Sequence, residues 1–254
     1  MFLKARLLLL CLLIFISCSS QVFARELRVG LGELDYPPFY FKENGQFKGA
    51  AVEIAEQIAA QLGHQLVYVR YPWARVQNAL EFGDLDMMIL YFRTPERESK
   101  VVYTETPHLN ESSHLFVRSN SNIDLLSSLD DLEDRLFGHV RGYAHGEQYD
   151  NHQQLKKHLV PDERHLIRTL IVGGIDVAVG NKPAIMMVAE LEGLEDEIVF
   201  LNTPIDIGPN FFAFSRVLPD AEALARDYSE QLRQFMPSDE YRQILMTYGF
   251  DLTE

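Results

Sequence analysis

The alternation of apolar and polar positions divides most of the chain into short strands and amphipathic helices that follow one another. Leu27 to Leu31 predicts a buried strand, and Ala51 to Leu62 predicts a helix with apolar positions 51, 54, 55, 58 and 62, stopped by Gly63. Between them lie a proline-rich loop from Gly32 to Tyr40 and the Asn44-Gly45 pair, a hairpin tip between Phe41 and Phe47. Gln65 to Tyr71 alternates as a strand, and Pro72 opens a second helix with Trp73, Val76 and Leu80 on one face.

The next stretch organises the chain. Leu85 to Phe92 is continuously apolar, the mark of a parallel strand buried on both faces. A helix start follows, with Thr94 as N-cap, Pro95 at the first position and Glu96 in the first turn. Arg97 then lies in the first turn of a helix just past the carboxyl end of a buried strand, where open α/β sheets bind small ligands. Free N–H groups and a guanidinium together would favour an anion. A surface arginine paired with Glu96, Glu98 or Glu105 is the competing reading. The pattern recurs: Leu80 to Asp86 and Leu170 to Asp176 both read L-x-x-G-x-[LI]-D and both run from a helix into an apolar strand. Two copies of one αβ unit suggest two similar α/β lobes.

Farther along, Thr104 to Ser113 lacks periodicity and reads as a crossover, with Leu115 to Arg118 a strand entering the second lobe. Asp124 to Asp134 is helix-like, Leu136 to Val140 a strand, and Arg141 to Gly146 a glycine-bearing loop in which Arg141 and Tyr143 are candidate ligand contacts. Leu166 to Val172 ends a helix before the strand Asp176 to Val179, and Asn181 precedes a helix opened by Pro183. Ile198 to Leu201 is a strand, Thr203 to Pro209 an irregular return crossover, and Phe211 to Ser215 a strand rejoining the first lobe. Helices over Ala221 to Phe235 and Asp239 to Tyr248 close the chain.

Charge and leader narrow the function. Lys4 and Arg6 precede the apolar run Leu7 to Ile16, too short to span a bilayer, and Val22-Phe23-Ala24 suits signal-peptidase cleavage before Arg25. Processing at Cys18 with a lipid anchor is the alternative to release into the periplasm. Both cysteines, Cys11 and Cys18, fall in this leader, so no disulfide is expected. The formal net charge of −14 argues against nucleic acid and anionic membranes as partners. His145, His152, His158 and His165 recur at helical spacing. Helix positions seven apart lie about 10.5 Å from each other along the axis, too far to share one metal, so no metal or cofactor is expected.

Tyr36 to Phe39 (YPPF), the helix from about Gly49, the L-x-x-G-x-x-D turn and Thr94 to Arg97 (TPER) occur in an order and spacing that resembles bacterial extracellular solute-binding proteins of family 3, the periplasmic receptors of polar amino-acid importers. The resemblance runs from about Leu27 to Phe250. It implies an α/β, two-lobed periplasmic binding protein fold, each lobe a mostly parallel sheet flanked by helices, joined by two crossover strands. The expected division is a signal peptide over 1–24, lobe one over 25–110 and 206–254, and lobe two over 111–205. It further implies a monomer without catalytic residues. Such a protein holds a small carboxylate-bearing solute by hinge closure and delivers it to the membrane permease of an ABC importer.

By the same resemblance Arg97 clamps the ligand carboxylate; Tyr36, Trp73, Tyr91, Arg93, Arg141, Tyr143 and Asn181 are the further candidate contacts. Phe39 and Tyr40 share with Tyr36 the two readings of crevice contact and sheet-end cover. Two departures stand out. The hydroxyl residues usual before the arginine are replaced by Leu90, Tyr91, Phe92 and Arg93, leaving Thr94, and the acid for an α-ammonium aligns with Asn181. A carboxylate-bearing solute of another kind, with an aromatic or apolar part, therefore fits Arg93, Arg97, Tyr91 and Trp73 at least as well as an α-amino acid. A membrane-docked sensor and a cyclohexadienyl-dehydratase-like enzyme are the alternative roles for such a fold.

Overall fold

A computed structural model of the protein describes residues 24–124 and 126–250, so the expected leader, including Cys11 and Cys18, lies outside the described residues. In lobe one, β1 (Arg25–Gly32) lies between β4 (His64–Tyr71) and β5 (Met87–Phe92) and is parallel to both. In lobe two, β8 (Leu136–Val140) lies between β9 (Lys156–Val160) and β10 (Val177–Gly180), again parallel to both. Between these sheets run two long antiparallel strands, β7 (Leu109–Arg118) and β11 (Ile198–Ser215). The resulting order is β4-β1-β5-β11-β7-β10-β8-β9, with β6 (Val101–Tyr103) on β11 and a separate hairpin of β2 (Phe41–Glu43) and β3 (Gln46–Lys48).

Helices cover both faces because inner strands such as β5 and β10 are buried on both. On lobe one, α1 (Ala50–Gln61) sets Ile54 and Ile58 against Leu27, Val29 and Phe212, beside Leu224, Tyr228 and Leu232 of α7 (Ala221–Phe235). Val76 and Leu80 of α2 (Trp73–Glu81) pack on the other face with Leu85, Met88 and Tyr91. In lobe two, Leu166, Ile167 and Leu170 of α5 (Glu163–Ile171) meet Ile185 and Val188 of α6 (Lys182–Glu192) over Phe116 and Ala178. Short α3 (Pro95–Glu98) and α4 (Glu147–Asp150) and C-terminal α8 (Asp239–Thr247) complete the set. Among the described residues, no helix is long and apolar enough to cross a membrane.

The repeated heptapeptide is a repeated structure. Gly83 and Gly173 each hold φ near +80°, ending α2 and α5 in the left-handed region open to glycine. Asp86 N–H donates to the Arg28 carbonyl and its carboxylate accepts from Arg28 N–H at 2.7 Å; Asp176 does the same with Leu136, its carboxylate accepting at 2.9 Å. One aspartate thus ties each incoming strand to the middle strand of its sheet.

Three expectations are corrected. The crossovers are not irregular: β7 runs straight through Leu109 to Ser113, and β11 carries Thr203 to Pro209 with register shifts around Pro204. A proline lacks the N–H that a regular ladder needs there. Among the described residues of Asp124 to Asp134, the helical structure is the 3₁₀ turn Asp130–Leu132, beside which Leu129 and Leu132 are buried, because a run of acids leaves too narrow an apolar stripe for a packed helix. The helix at Arg97 is a single turn, and the Thr94 hydroxyl accepts from the Arg97 N–H at 3.4 Å. An anion there would meet the guanidinium rather than the N-terminus of a long helix.

Candidate functional site

Arg97 is only 8% exposed, and its guanidinium reaches back over the end of β5 toward lobe two. It donates to the Phe92 carbonyl at 2.9 Å and, across the interlobe junction, to the Gly142 carbonyl at 2.7 Å, and lies 4.2 Å over the Tyr91 ring. Among the described residues, no carboxylate is ion-paired to it: Glu98 pairs with Arg93, Glu96 with Lys100 and Glu105 with Arg233. The Gly142 carbonyl also accepts from Trp73 Nε1 and Gln77 Nε2, both at 3.1 Å. One backbone oxygen of lobe two therefore gathers three donors from lobe one. Gly142 is required for that approach, since φ is +81° and a Cβ would sit 2.2 Å from Gln77 Oε1.

Behind this junction Tyr36, Tyr40, Trp73, Arg97, Glu111, Tyr143 and their neighbours enclose a cavity of about 30 Å³. That holds one or two waters. A solute larger than that does not fit the cavity as it stands.

Glu111 is the acid of this cavity. It lies on β7, 8% exposed, accepting from the Tyr36 hydroxyl through Oε1 and from Asn210 Nδ2 through Oε2 at 3.0 Å. Burial lifts its pKa to about 7, against the hydrogen bonds from Tyr36 and Asn210 and the charge of Arg97. A second buried acid, Glu163 at the first position of α5, accepts from the Tyr143 hydroxyl, and burial raises its pKa as well.

Of the residues named from sequence, Tyr36, Trp73, Arg97 and Tyr143 line the central cavity, with Tyr91 beneath the guanidinium. Arg141 is exposed and lines, with Tyr91, Arg97 and Tyr143, a wide opening of about 770 Å³ at the junction. Arg93 is drawn aside by Glu98, the Thr104 carbonyl and the rings of Tyr103 and Phe211. Asn181 caps α6 by accepting from Ala184 N–H, donates to the Ser112 carbonyl, and lines a separate cavity away from Arg97.

Sequence reasoning passed over Gln77, Glu111, Asn210 and Glu163. Gln77 was within reach, being one turn from Trp73 on the same helix face. For Glu111 the signal was the alternation of buried Leu109, Glu111 and Ser113, visible only once the crossover is known to be a strand. One trio, Asp130, Glu133 and His152, brings three possible metal-ligating atoms within 4.8 Å of one another; none of the three lines the cavities at the lobe junction.

Comparison with known proteins agrees with this architecture. The family model for bacterial extracellular solute-binding proteins, family 3, matches residues 27–251. A probable histidine-binding protein of Campylobacter jejuni is 29% identical over 113 residues, 44% of this chain and 43% of that relative, so the match spans less than half of the relative's length. The probable amino-acid-binding protein YxeM of Bacillus subtilis is 24% identical over 69% of this chain and 67% of its own.

Among solved structures, a histidine kinase sensor domain with similarity to periplasmic binding proteins superposes with a TM-score of 0.74 at 26% identity, covering 89% of this chain and 96% of that one. An ancestral arginine-binding protein bound to arginine gives 0.71 at 22%, covering 88% and 97%. An ancestral amino-acid-binding protein described as a precursor of cyclohexadienyl dehydratase gives 0.68 at 23%, covering 88% and 94%. The relatives are mostly binding proteins, and the last of these structures shows that the fold also leads to enzymes. The chain belongs to the bacterial extracellular solute-binding proteins, family 3.

Proposed function

We propose that this protein is a periplasmic receptor that captures a small carboxylate-bearing solute, an amino acid, between its lobes and delivers it to the permease of an ABC importer. The observation that carries this reading is Arg97: a buried cation at the lobe junction, partnered by backbone carbonyls and by no carboxylate among the described residues. A buried charge without a counter-charge is costly, and a bidentate ligand carboxylate supplies one while displacing the Gly142 carbonyl. Trp73 and Gln77 are placed to exchange Gly142 for the ligand at the same time. The protein acts in this scheme as a monomer, cut from its leader after Ala24, with the lobes divided at 110/111 and 205/206.

The test is a thermal-shift screen with amino acids, dicarboxylates, aromatic acids and amines. A ligand at about a hundred times its dissociation constant adds roughly 2.7 kcal/mol of stability. An α-amino acid is expected to give the shift, and Arg97→Ala to lose it with unchanged circular dichroism. A shift that survives Arg97→Ala would falsify the clamp.

The sensor role is a second reading, favoured by the 26% identity to the histidine kinase sensor domain. Ligand uptake by vesicles carrying a cognate permease supports the importer role; ligand-dependent capture of a membrane kinase instead supports the sensor. Prephenate is expected to remain unconverted, and its conversion would move the protein among the enzymes.

A further inference from the structure

The crossover strands have two faces, and the Arg97 cavity uses one of them. Side chains alternate along a strand, so neighbours in sequence point to opposite sides. Glu111 of β7 and Asn210 of β11 line the cavity of Arg97. Asn110, Ser112 and His114 of β7 and Ile207 of β11 line a second cavity, of about 500 Å³. The loop from Tyr36 to Phe39 meets both: Tyr36 reaches the first space, and Pro38 and Phe39 the second. Asn181, which caps α6 away from Arg97, lines the second as well.

This second cavity suits a different kind of occupant. The chain carries 37 acidic and 23 basic residues, yet among the described residues no Asp, Glu, Lys or Arg lines the space. A charge buried there would lack a counter-charge. His114 adds none near neutral pH, because burial and the nearby charge of Lys182 lower its pKa. The wall is mixed: Phe39, Leu245 and Phe250 offer apolar surface, while Asn110 and Ser112 carry groups that both donate and accept. Both the volume and this lining are those of a small-molecule pocket.

The cavity also spans the lobe junction. Phe39 and, on α8, Tyr241 and Leu245 pack with the core of lobe one, whereas Asn181 and Pro183 open α6 of lobe two. Two bodies joined by a pair of strands turn about those strands, so the space on one face narrows as the space on the other widens. Parting the lobes at Arg97 squeezes the cavity behind, and a molecule lodged there opposes the parting.

We propose that the cavity behind the crossover strands binds an uncharged small molecule with an apolar body and hydrogen-bonding groups, and that this occupant tightens solute binding at Arg97 by holding the lobes together. The site stands on the geometry of the cavity; the coupling rests on the solute-binding reading above.

Nile red, an uncharged dye whose fluorescence rises in apolar surroundings, is the probe, and the anionic dye anilinonaphthalene sulfonate is its charged counterpart. Fluorescence titration of the wild-type protein is expected to give one Nile red per chain. The anion is expected to bind at least about tenfold more weakly, the effect of an unpaired buried charge. Asn110→Trp fills the cavity from β7 and is expected to abolish Nile red binding; Ile207→Trp does the same from β11. Both native side chains are exposed, so neither exchange disturbs a core, and the second variant serves if the first fails to fold. Each standard amino acid that raises the melting temperature is then titrated with and without saturating Nile red. Its affinity is expected to rise at least about fivefold, and that of Nile red by the same factor when the amino acid is present.

No Nile red binding, equal binding of the anion, or Nile red binding that survives both tryptophan variants overturns the site. Nile red binding that leaves amino-acid affinity unchanged, or weakens it, overturns the coupling. If no amino acid binds, the solute-binding reading fails and the coupling with it, while the Nile red titration still decides the site.

Discussion

In lobe one α2 turns at Gly83 and feeds β5; in lobe two α5 turns at Gly173 and feeds β10. Asp86 and Asp176 fasten the two strands to their sheets by the same pair of hydrogen bonds. Beyond the strands the units diverge. The chain leaving β5 returns Arg97 to the lobe junction, whereas the chain leaving β10 spends Asn181 on capping α6. A repeated framework therefore does not carry a repeated site, because framework needs only backbone partners and a local turn, while the site needs a side chain facing the other lobe.

The largest effect expected from this contrast is at the two outlets. Arg97→Ala should weaken ligand binding by about a hundredfold or more, the loss of a buried bidentate pair, with little change in melting temperature. Asn181→Ala should instead lower stability by about 1 kcal/mol, the usual cost of a lost N-cap, and calorimetry beside thermal melting separates the two. A binding defect in Asn181→Ala as large as that of Arg97→Ala would end the distinction.

A pH series compares two acids of opposite sign. The pKa of Glu111 rises from its ordinary 4.5 to about 7, so folding binds a proton there. Its contribution is fully present below about pH 4.5 and is lost as pH rises through about 7, a range worth roughly 3 kcal/mol. Tyr36, Asn210, Arg97 and Glu163 are the groups that act on it. Denaturation of the ligand-free wild type should show this fall, and Glu111→Gln should flatten it.

Burial would raise the Asp86 carboxyl, but hydrogen bonds from the Arg28 side chain and backbone outweigh it and hold the carboxyl below its usual range. Its contribution is present above the ordinary carboxylate range and lost as pH falls through the lowered value.

A smaller effect sharpens the framework itself. Asp86→Ala and Asp176→Ala each leave a backbone N–H without its partner, at about 1–3 kcal/mol. Asp86→Ala should cost more, since the Asp86 carboxylate also accepts from Arg28 Nε and Nη2 at 2.9 and 2.8 Å. Equal losses in urea denaturation would mean that the Arg28 pair contributes nothing.

Much of the fold was legible because its signals are local. The Asn44-Gly45 tip shows positive φ at both residues, the hairpin geometry that this pair favours. The Thr94 cap and the span Ala221–Phe235 likewise follow from capping and helical periodicity. The crossovers were opaque for a physical reason. A strand that bridges two lobes turns its sides to a hinge and a polar cavity, so Glu111 and Ser113 occupy buried positions where apolar residues would have revealed the alternation. At the candidate site, Arg97 and Trp73 were visible through their position at strand ends, whereas no local pattern singles out Glu163, the first residue of α5.

The sequence by itself determined most of the strands and helices in chain order, the twofold αβ plan, the family and the arginine just past a buried strand. Each depends on periodicity, caps and turns within a few residues. Only the tertiary structure decided which charges meet. Glu111 reaches the cavity that Arg97 lines along a crossover strand, Gly142 reaches the guanidinium from the other lobe, and Glu163 accepts from a tyrosine 20 residues away in the chain. No local pattern encodes such meetings, because they are set by how segments far apart in the chain lie against each other.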